Sequence, residues 1–167
     1  MTRFEAMRGI LAIEGASGSG KTTLAGEIAT RFGCVVLHMD DFFLPANRRT
    51  DEIAGNIDRT RFLEEVLTPL SRGETFDYIA FDCKSQTYRA PVRISPTPLV
   101  VVEGAYSMHP DFAEFYTHSV FLTVEKDVQK ARILKRPNAQ DFFTEWLPRE
   151  ERYFKEFDIP NKCEIRI

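Results

Sequence analysis

The chain has 167 residues, a net charge of −3 and a pI near 5.7, with 43% apolar and 28% charged residues. This balance predicts one globular domain over residues 1–167. It argues against a basic nucleic-acid surface, a membrane span and a secretory signal, so we expect neither a nucleic-acid nor a membrane partner. Cys34, Cys83 and Cys163 lack metal-ligand spacing, which predicts free thiols and a cytoplasmic location; nothing predicts the oligomeric state.

The first predicted strand covers residues 9–14 and leads into a glycine-rich loop. Residues 15–22, G-A-S-G-S-G-K-T, fit the phosphate-binding P-loop pattern G-x-x-x-x-G-K-[ST]. Apolar residues then recur at helical spacing from Leu24 to Phe32, and Gly33 stands where a C-cap glycine belongs. Because the motif requires a strand, a loop and a helix in this order, the sequence predicts a nucleotide site here.

Each fixed residue of the loop has a physical role. Glycines let the backbone turn tightly and direct successive N–H groups into one hollow, where they can bind phosphate oxygens. Lys21 would contact the β- and γ-phosphates, and the Thr22 hydroxyl would bind Mg²⁺. We therefore predict that ATP is bound by Gly15, Ala16, Ser17, Gly18, Ser19, Gly20, Lys21, Thr22 and Thr23.

An acidic pair, Asp40 and Asp41, follows the second predicted strand at residues 34–38. In an open parallel sheet, ligands bind at the carboxyl ends of the strands, so this pair should stand at the same edge as the P-loop. Phosphoryl transfer to an alcohol needs a carboxylate that orients the hydroxyl and accepts its proton. The pair therefore indicates a kinase.

The middle of the chain predicts one helix and one insertion. Phe62, Val66 and Leu70 have helical spacing, with Asp58 as a plausible N-cap. Residues 47–56 are polar and predict a mobile loop. Residues 72–97 are polar, aromatic and proline-containing, and we interpret them as an insertion that forms a hairpin beside the sheet.

Three more strands are predicted, at residues 99–102, 120–124 and 164–167, and a helix around Val128–Leu134 ends before Pro137. The aromatic residues between 142 and 157 have the spacing of a buried helix face, which Pro148 splits or kinks. Glu103 ends the most apolar strand beside the P-loop, where a carboxylate is costly to bury without a cation, so it predicts a Mg²⁺ site. Alternating strands and helices predict an α/β fold with a parallel sheet.

The run Asp40-Asp41-Phe42-Phe43 resembles the signature after the second strand of uridine kinase-like P-loop kinases. Nicotinamide riboside kinases carry a similar Asp-Asp-Phe-Phe-x-Pro. The resemblance implies a three-layer fold with helices on both faces of a five-stranded, mostly parallel sheet in the order 2-3-1-4-5. It also implies that Asp40 is the catalytic base and contributes at the metal site, and that Thr22 and Glu103 hold Mg²⁺.

The resemblance implies further residues around a nucleoside-like, small-molecule acceptor. Besides Asp40 and Asp41, the acceptor would be contacted by Asp58 and by an aromatic side chain, Tyr78 or Phe81. A short lid at residues 132–140 would bring Arg132 and Arg136 over the triphosphate.

Several alternatives remain open from the residues alone. The acceptor could be nicotinamide riboside, another vitamin or a sugar, or a nucleoside monophosphate whose phosphate is bound by Arg48 and Arg49. Residues 161–164, N-K-C-E, invite a GTP-binding switch. A nucleotide-binding protein without a transfer reaction is the third class, although it would not need Asp40.

Overall fold

The computed structural model describes Phe4 and residues 7–167, which form two sheets. The strands in chain order are β1 (Gly9–Gly15), β2 (Val35–His38), β3 (Phe76–Asp82), β4 (Thr87–Ile94), β5 (Leu99–Glu103), β6 (His118–Leu122) and β7 (Ile165–Arg166). The main sheet has five strands in the order β2-β5-β1-β6-β7, and each neighbouring pair is parallel. Counted within this sheet alone, the order is 2-3-1-4-5, so the predicted topology is confirmed.

Five helices flank the sheets in the described part of the chain. They are α1 (Lys21–Phe32), α2 (residues 59–71, in the segments Arg59–Phe62, Leu63–Leu67 and Thr68–Ser71), α3 (Lys126–Ile133), α4 (residues 139–156, in the segments Ala139–Asp141, Phe142–Trp146 and Leu147–Glu156) and α5 (Ile159–Lys162). Short 3₁₀ turns cover Met39–Phe42, Ala46–Arg48 and Ala113–Phe115. None of the helices within the described residues is both long and apolar enough to span a membrane.

The main sheet is buried on both faces because its central strands are apolar without alternation. Ile10 and Ala12 of β1 belong to one apolar cluster, together with Phe62 of α2 and Tyr153 of α4. Their neighbours in the strand belong to the opposite cluster, together with Ala25 and Ile28 of α1. Because successive side chains of a strand point to opposite faces, each central strand contributes residues to both clusters.

Strands β3 and β4 form a separate antiparallel hairpin within residues 72–97. Phe76, Tyr78 and Ala80 of β3 point inward and are buried in the cluster that also contains Phe42. Strand β4 is mostly exposed. The hairpin is therefore attached to the body through one face of β3.

Helices α2 and α4 each contain one wide turn, of the π type. The Thr68 N–H bonds to the Leu63 carbonyl and the Leu147 N–H bonds to the Phe142 carbonyl, five residues earlier in each case. A proline follows each turn at once, Pro69 in α2 and Pro148 in α4. Proline has no N–H and its ring clashes with the carbonyl four residues earlier, and the wide turn relieves both problems. Pro148 was expected to split or kink this helix. The helix is not split, because it continues through Pro148 after the wide turn.

Strand β6 and the polar segment 47–56 also differ from expectation. Strand β6 begins at His118, where pairing with Leu11 of β1 starts, and it ends at Leu122. The polar segment 47–56 ends in two buried residues, Ala54 and Asn56. The Leu44 N–H bonds to the Asn56 carbonyl, so the end of this segment is tied to the residues after the acidic pair.

Candidate active site

A cleft of about 970 Å³ lies at the carboxyl ends of the central strands. The P-loop follows β1, Asp40 follows β2, and Glu103 ends β5. Because these three strands are neighbours in the sheet, the predicted nucleotide, metal and catalytic residues converge on one cavity. Residues 17–23, Asp40, Asp41 and Glu103 all line it.

The P-loop backbone depends on glycine at its start. Gly15 has φ +147°, and a Cβ built there would lie 2.5 Å from the Leu122 carbonyl oxygen, so only glycine passes this close to β6. The Lys21 ammonium donates to the carbonyl oxygens of Gly15 at 2.8 Å and Ala16 at 3.1 Å. Lys21 thus closes the loop on itself, with the start of α1 directed at the same hollow.

Thr22, Glu103 and His38 form a hydrogen-bonded chain at the floor of the cleft. The Thr22 hydroxyl donates to Glu103 Oε1 at 3.1 Å, and His38 Nδ1 lies 2.6 Å from the same oxygen. This bond to Glu103 raises the pKa of His38, against the opposing effect of its desolvation. Gly104 (φ +141°) follows, and a Cβ there would lie 2.7 Å from Met39 Cβ, so glycine lets the end of β5 approach the acidic loop.

The Thr22 and Glu103 oxygens fit Mg²⁺, a hard cation that takes oxygen ligands and keeps several waters. No group of three or more His, Cys, Asp or Glu side chains within the described residues is arranged to hold a metal by itself. Such a cation would therefore depend on substrate phosphates and water for most of its ligands.

Asp40 and Asp41 have different surroundings although they are adjacent. Desolvation within the cleft raises the pKa of Asp40, with the negative charges of Glu103 and Asp41 adding to it and Lys21 opposing it. Asp41 accepts a hydrogen bond from the hydroxyl of Tyr78 at 2.8 Å. Asp40 thus lines the cleft as a carboxylate with a raised pKa, whereas Asp41 is held by Tyr78.

The other predicted acceptor residues are only partly brought together. Phe81 lines the cleft, whereas Tyr78 lies behind Asp41 and contacts the cleft through it. Asp58 does not line the cleft. Its carboxylate accepts the Arg61 N–H at the start of α2, at 3.3 Å, and lies 3.6 Å from Arg48. Asp58 therefore acts as a helix N-cap in this structure.

Both predicted lid arginines line the cleft, but each contacts protein groups. Arg132 Nη1 donates to the carbonyl oxygens of Gly18 at 2.8 Å and Ser19 at 3.1 Å. The Arg136 guanidinium lies 4.6 Å from the centre of the Phe142 ring. Arg132 is thus part of the support of the P-loop, and Arg136 lies near the mouth of the cleft.

Two residues that line the cleft, Glu150 and Trp146, and one beneath the P-loop, Glu14, were missed from sequence. Glu150 of α4 is 4% exposed and binds Ser17 of the P-loop. Glu14 is fully buried, which raises its pKa from the ordinary 4.5 to about 7. Trp146, predicted as core, lines the cleft and packs on Phe43 at 6.0 Å between ring centres. For Glu14 a signal existed, since it ends an apolar strand as Glu103 does.

The residues that suggested a GTP-binding switch and those that suggested a nucleoside monophosphate kinase lie in different parts of the structure. Asn161 and Lys162 lie in α5 and do not line the cleft, so the N-K-C-E run does not face the nucleotide site. Arg48 is exposed beside Asp58, as described above. Arg49 lines the cleft, with its guanidinium 4.9 Å from the centre of the Trp146 ring.

The chain is similar in sequence to several kinases, although no family model matches it. It is 27% identical to uridine kinase-like protein 4 of Arabidopsis thaliana over 147 residues, which are 79% of this chain and 30% of that protein. It is 29% identical to a uridine kinase of Clostridium novyi over 139 residues, 76% of this chain and 65% of the relative. It is also 27% identical to human nicotinamide riboside kinase 2 over 137 residues, 75% of this chain and 56% of that protein. The resemblance seen in the acidic loop is thereby confirmed, while the chain spans less than two thirds of the length of these three relatives.

Solved structures confirm the fold. The structure of a possible uridine kinase from Bacillus stearothermophilus superposes with a TM-score of 0.76 at 22% identity, over 97% of this chain and 89% of the other. Shikimate kinase from Acinetobacter baumannii, in complex with shikimate, gives a TM-score of 0.56 at 20% identity, over 99% and 86% of the two chains. The chain therefore has the α/β fold of P-loop kinases.

Proposed function

We propose that this protein is an ATP-dependent kinase that transfers the γ-phosphate to a hydroxyl of a small, nucleoside-like acceptor. The observation that carries the proposal is the convergence of the P-loop, the Thr22–Glu103 pair and Asp40 on one cleft. A protein that only bound nucleotide would not need the Asp40 carboxylate there. The kinase relatives support the reaction class, and the uridine and nicotinamide riboside kinases among them support the acceptor class.

The proposed chemistry assigns one task to each group. Lys21 and the loop N–H groups hold the β- and γ-phosphates, and Thr22 and Glu103 hold Mg²⁺, which would offset charge on the phosphates. Asp40 orients the acceptor hydroxyl and takes its proton as the new oxygen–phosphorus bond forms and the bond to ADP breaks. The raised pKa of Asp40 suits this role because a more basic carboxylate accepts the proton more readily.

A nucleoside monophosphate kinase is the second candidate, and Arg49 is the observation that favours it. Its guanidinium lies in the cleft wall, and no ion pair joins it to a carboxylate in the described part of the chain. A guanidinium in this position could bind an anionic group on the acceptor. Arg48, by contrast, pairs with Asp58, so only one of the two arginines is available.

The test is ADP release from Mg·ATP against a panel of nucleosides, nucleoside monophosphates, sugars and vitamin alcohols, with GTP as a parallel donor. Release stimulated by a nucleoside supports the first proposal, and release stimulated only by a monophosphate supports the second. Turnover of GTP that no acceptor changes would contradict both. An Arg49→Gln variant sharpens the choice, because it should weaken use of an anionic acceptor and leave a neutral one nearly unaffected.

A further inference from the structure

Glu150 is a buried carboxylate that binds a serine of the P-loop. Its Oε2 accepts the Ser17 N–H at 2.8 Å and its Oε1 accepts the Ser17 hydroxyl at 2.6 Å. No ion pair joins it to a lysine or arginine within residues 7–167. Desolvation raises its pKa, while Lys21 and the bonds from Ser17 lower it. An apolar side chain would fill a helix face at lower cost, so the carboxylate indicates a role at the loop.

Ser17 is held at every polar atom. Besides the two bonds to Glu150, its carbonyl oxygen accepts the side-chain amide of Gln129 in α3 at 2.8 Å. The next residue, Gly18, has φ +81° and provides no stiffness of its own. Ser17 is therefore fixed by side chains from α3 and α4, although it lines the cleft together with the rest of the loop.

Helix α4 also connects the P-loop to the part of the cleft that is lined by Phe43, Arg49 and Trp146, which we call the Trp146 wall. Trp146 lies one turn before Glu150 and contacts Phe43 and Arg49. Three residues after Glu150, the Tyr153 hydroxyl donates to Glu14 Oε2 at 3.1 Å. Helix α4 thus joins the Trp146 wall to the P-loop and to β1, the strand that precedes the loop.

We propose that Glu150 is a positioning residue that sets the P-loop for phosphate and transmits nucleotide occupancy to the Trp146 wall. The side chain touches Ser17 and acts through it, without contact to the reacting atoms. A shift of Ser17 on phosphate binding would move Glu150, and the helix would carry that movement to Trp146. The proposal rests on the proposed function for the use of the site, but nucleotide binding tests it without any acceptor.

The test uses the single tryptophan of the chain as a reporter. Mg·ADP is titrated into the full-length protein, with affinity measured by calorimetry and the response by Trp146 fluorescence. Glu150→Ala should weaken Mg·ADP binding about ten-fold or more, since it removes two bonds to a charged group. At saturating Mg·ADP it should also lose most of the fluorescence change. Glu150→Gln keeps an acceptor for the Ser17 N–H and should stay within about three-fold of the wild type.

Matched variants separate this role from general destabilisation. Glu151→Ala removes the exposed neighbouring carboxylate and should behave as wild type. Ser17→Ala removes one of the two bonds and should weaken binding less than Glu150→Ala, and it decides the matter if Glu150→Ala does not fold. Wild-type affinity and fluorescence response in Glu150→Ala would overturn the proposal. If Glu150→Ala does not fold, the same result in Ser17→Ala would overturn it. A Glu150→Gln variant as defective as Glu150→Ala would also overturn it. Absence of acceptor-stimulated ADP release with these binding results intact would contradict the kinase function alone.

Discussion

The two ends of the cleft are built differently. At the nucleotide end, the carbonyl oxygens of Ser17, Gly18 and Ser19 all accept bonds from α3, and the strands beneath are buried on both faces. At the other end, the β3–β4 hairpin contributes Phe81 and the residues around its turn, and β4 is exposed along most of its length. Its charged pairs, such as Arg89–Asp82, lie within the hairpin itself.

This difference shows which half of the site can change without loss of the fold. A slip in the register of β1 or β5 would put a Cβ where Gly15 and Gly104 make their close approaches and would move Glu103 away from Thr22, so the phosphate end is strongly specified. The hairpin surface carries no such constraint. It is consistent with this that the relatives named above include both uridine and nicotinamide riboside kinases. Four substitutions test this difference between the two ends of the cleft.

Asp40→Asn should have the largest effect. Without a base to accept the proton, kcat should fall about 100- to 10,000-fold while Mg·ATP affinity stays nearly unchanged. Wild-type kcat should also fall with decreasing pH as Asp40 is protonated, at a pH above the ordinary aspartate pKa of 3.8, because its pKa is raised. Asp77→Asn, in the exposed part of the hairpin, is the control. Unchanged turnover in Asp40→Asn would remove Asp40 from the mechanism.

Lys21→Ala should reduce kcat/KM about 100- to 1,000-fold, because it removes a cation from the phosphates. Part of this loss should appear as weaker nucleotide binding, since Lys21 also holds the Gly15 and Ala16 carbonyls. Steady-state kinetics and calorimetry measure the two parts. Lys135→Ala should be close to wild type, because this exposed lysine of the predicted lid segment does not line the cleft. A fully active Lys21→Ala protein would disprove the P-loop assignment.

Tyr153→Phe tests the anchoring of the phosphate end through Glu14. Burial raises the Glu14 pKa to about 7, so the folded state holds a proton that the unfolded state releases near 4.5, and this group lowers stability as pH rises through 7. Loss of the Tyr153 donor should destabilise the protein by about 1.5–3 kcal/mol at pH 8.5, where Glu14 is ionised. Urea unfolding at pH 5.5 should show a smaller difference. Equal losses at both pH values would contradict a charge-assisted bond.

Arg89→Ala should have the smallest effect. Its pair with Asp82 is 2.7 Å long but solvent-exposed, and such pairs add little to stability. The melting temperature should not change measurably. Arg61→Ala is the informative contrast, because Arg61 binds Glu65 through both carboxylate oxygens and also the Ile79 carbonyl, and so joins α2 to the hairpin. A clear drop in melting temperature for Arg89→Ala would show that the hairpin is anchored more firmly than its contacts indicate.

The sequence predicted the phosphate end well because its signals are local. The apolar strands, the glycine pattern and the C-cap at Gly33 each lie within a few residues, and together they predict the strands and helices. The sheet order was implied by the resemblance to uridine kinase-like kinases. The position of Glu103 was also predictable, since it ends the most apolar strand at the edge of the sheet where the P-loop lies, and the structure places it beside Thr22 in the cleft. Its role at a cation stays a prediction.

The contacts that were missed join distant parts of the chain. Ser17 and Glu150 are separated by 133 residues, and no local pattern links a serine in a loop to a glutamate on a charged helix. Helical spacing showed that Trp146 and Tyr153 share a face, but not that the first half of this face borders a cleft and the second half the core. Asp58 fitted both an N-cap and an acceptor contact, and only its position relative to the cleft distinguishes the two.

The number of residues in the wide turn Phe142–Trp146 sets how the part of α4 before the turn is rotated relative to the part after it. Such a turn holds one more residue than a regular α-helical turn, and each residue rotates the helix by about 100°. Deleting one residue before Trp146 would restore a regular turn, at the cost of a clash at Pro148, and would rotate the residues before the deletion by about 100° relative to Trp146, Glu150 and Tyr153. Single-residue length changes in this segment are therefore expected to be tolerated far less than substitutions, although it lies more than a hundred residues from the P-loop in sequence.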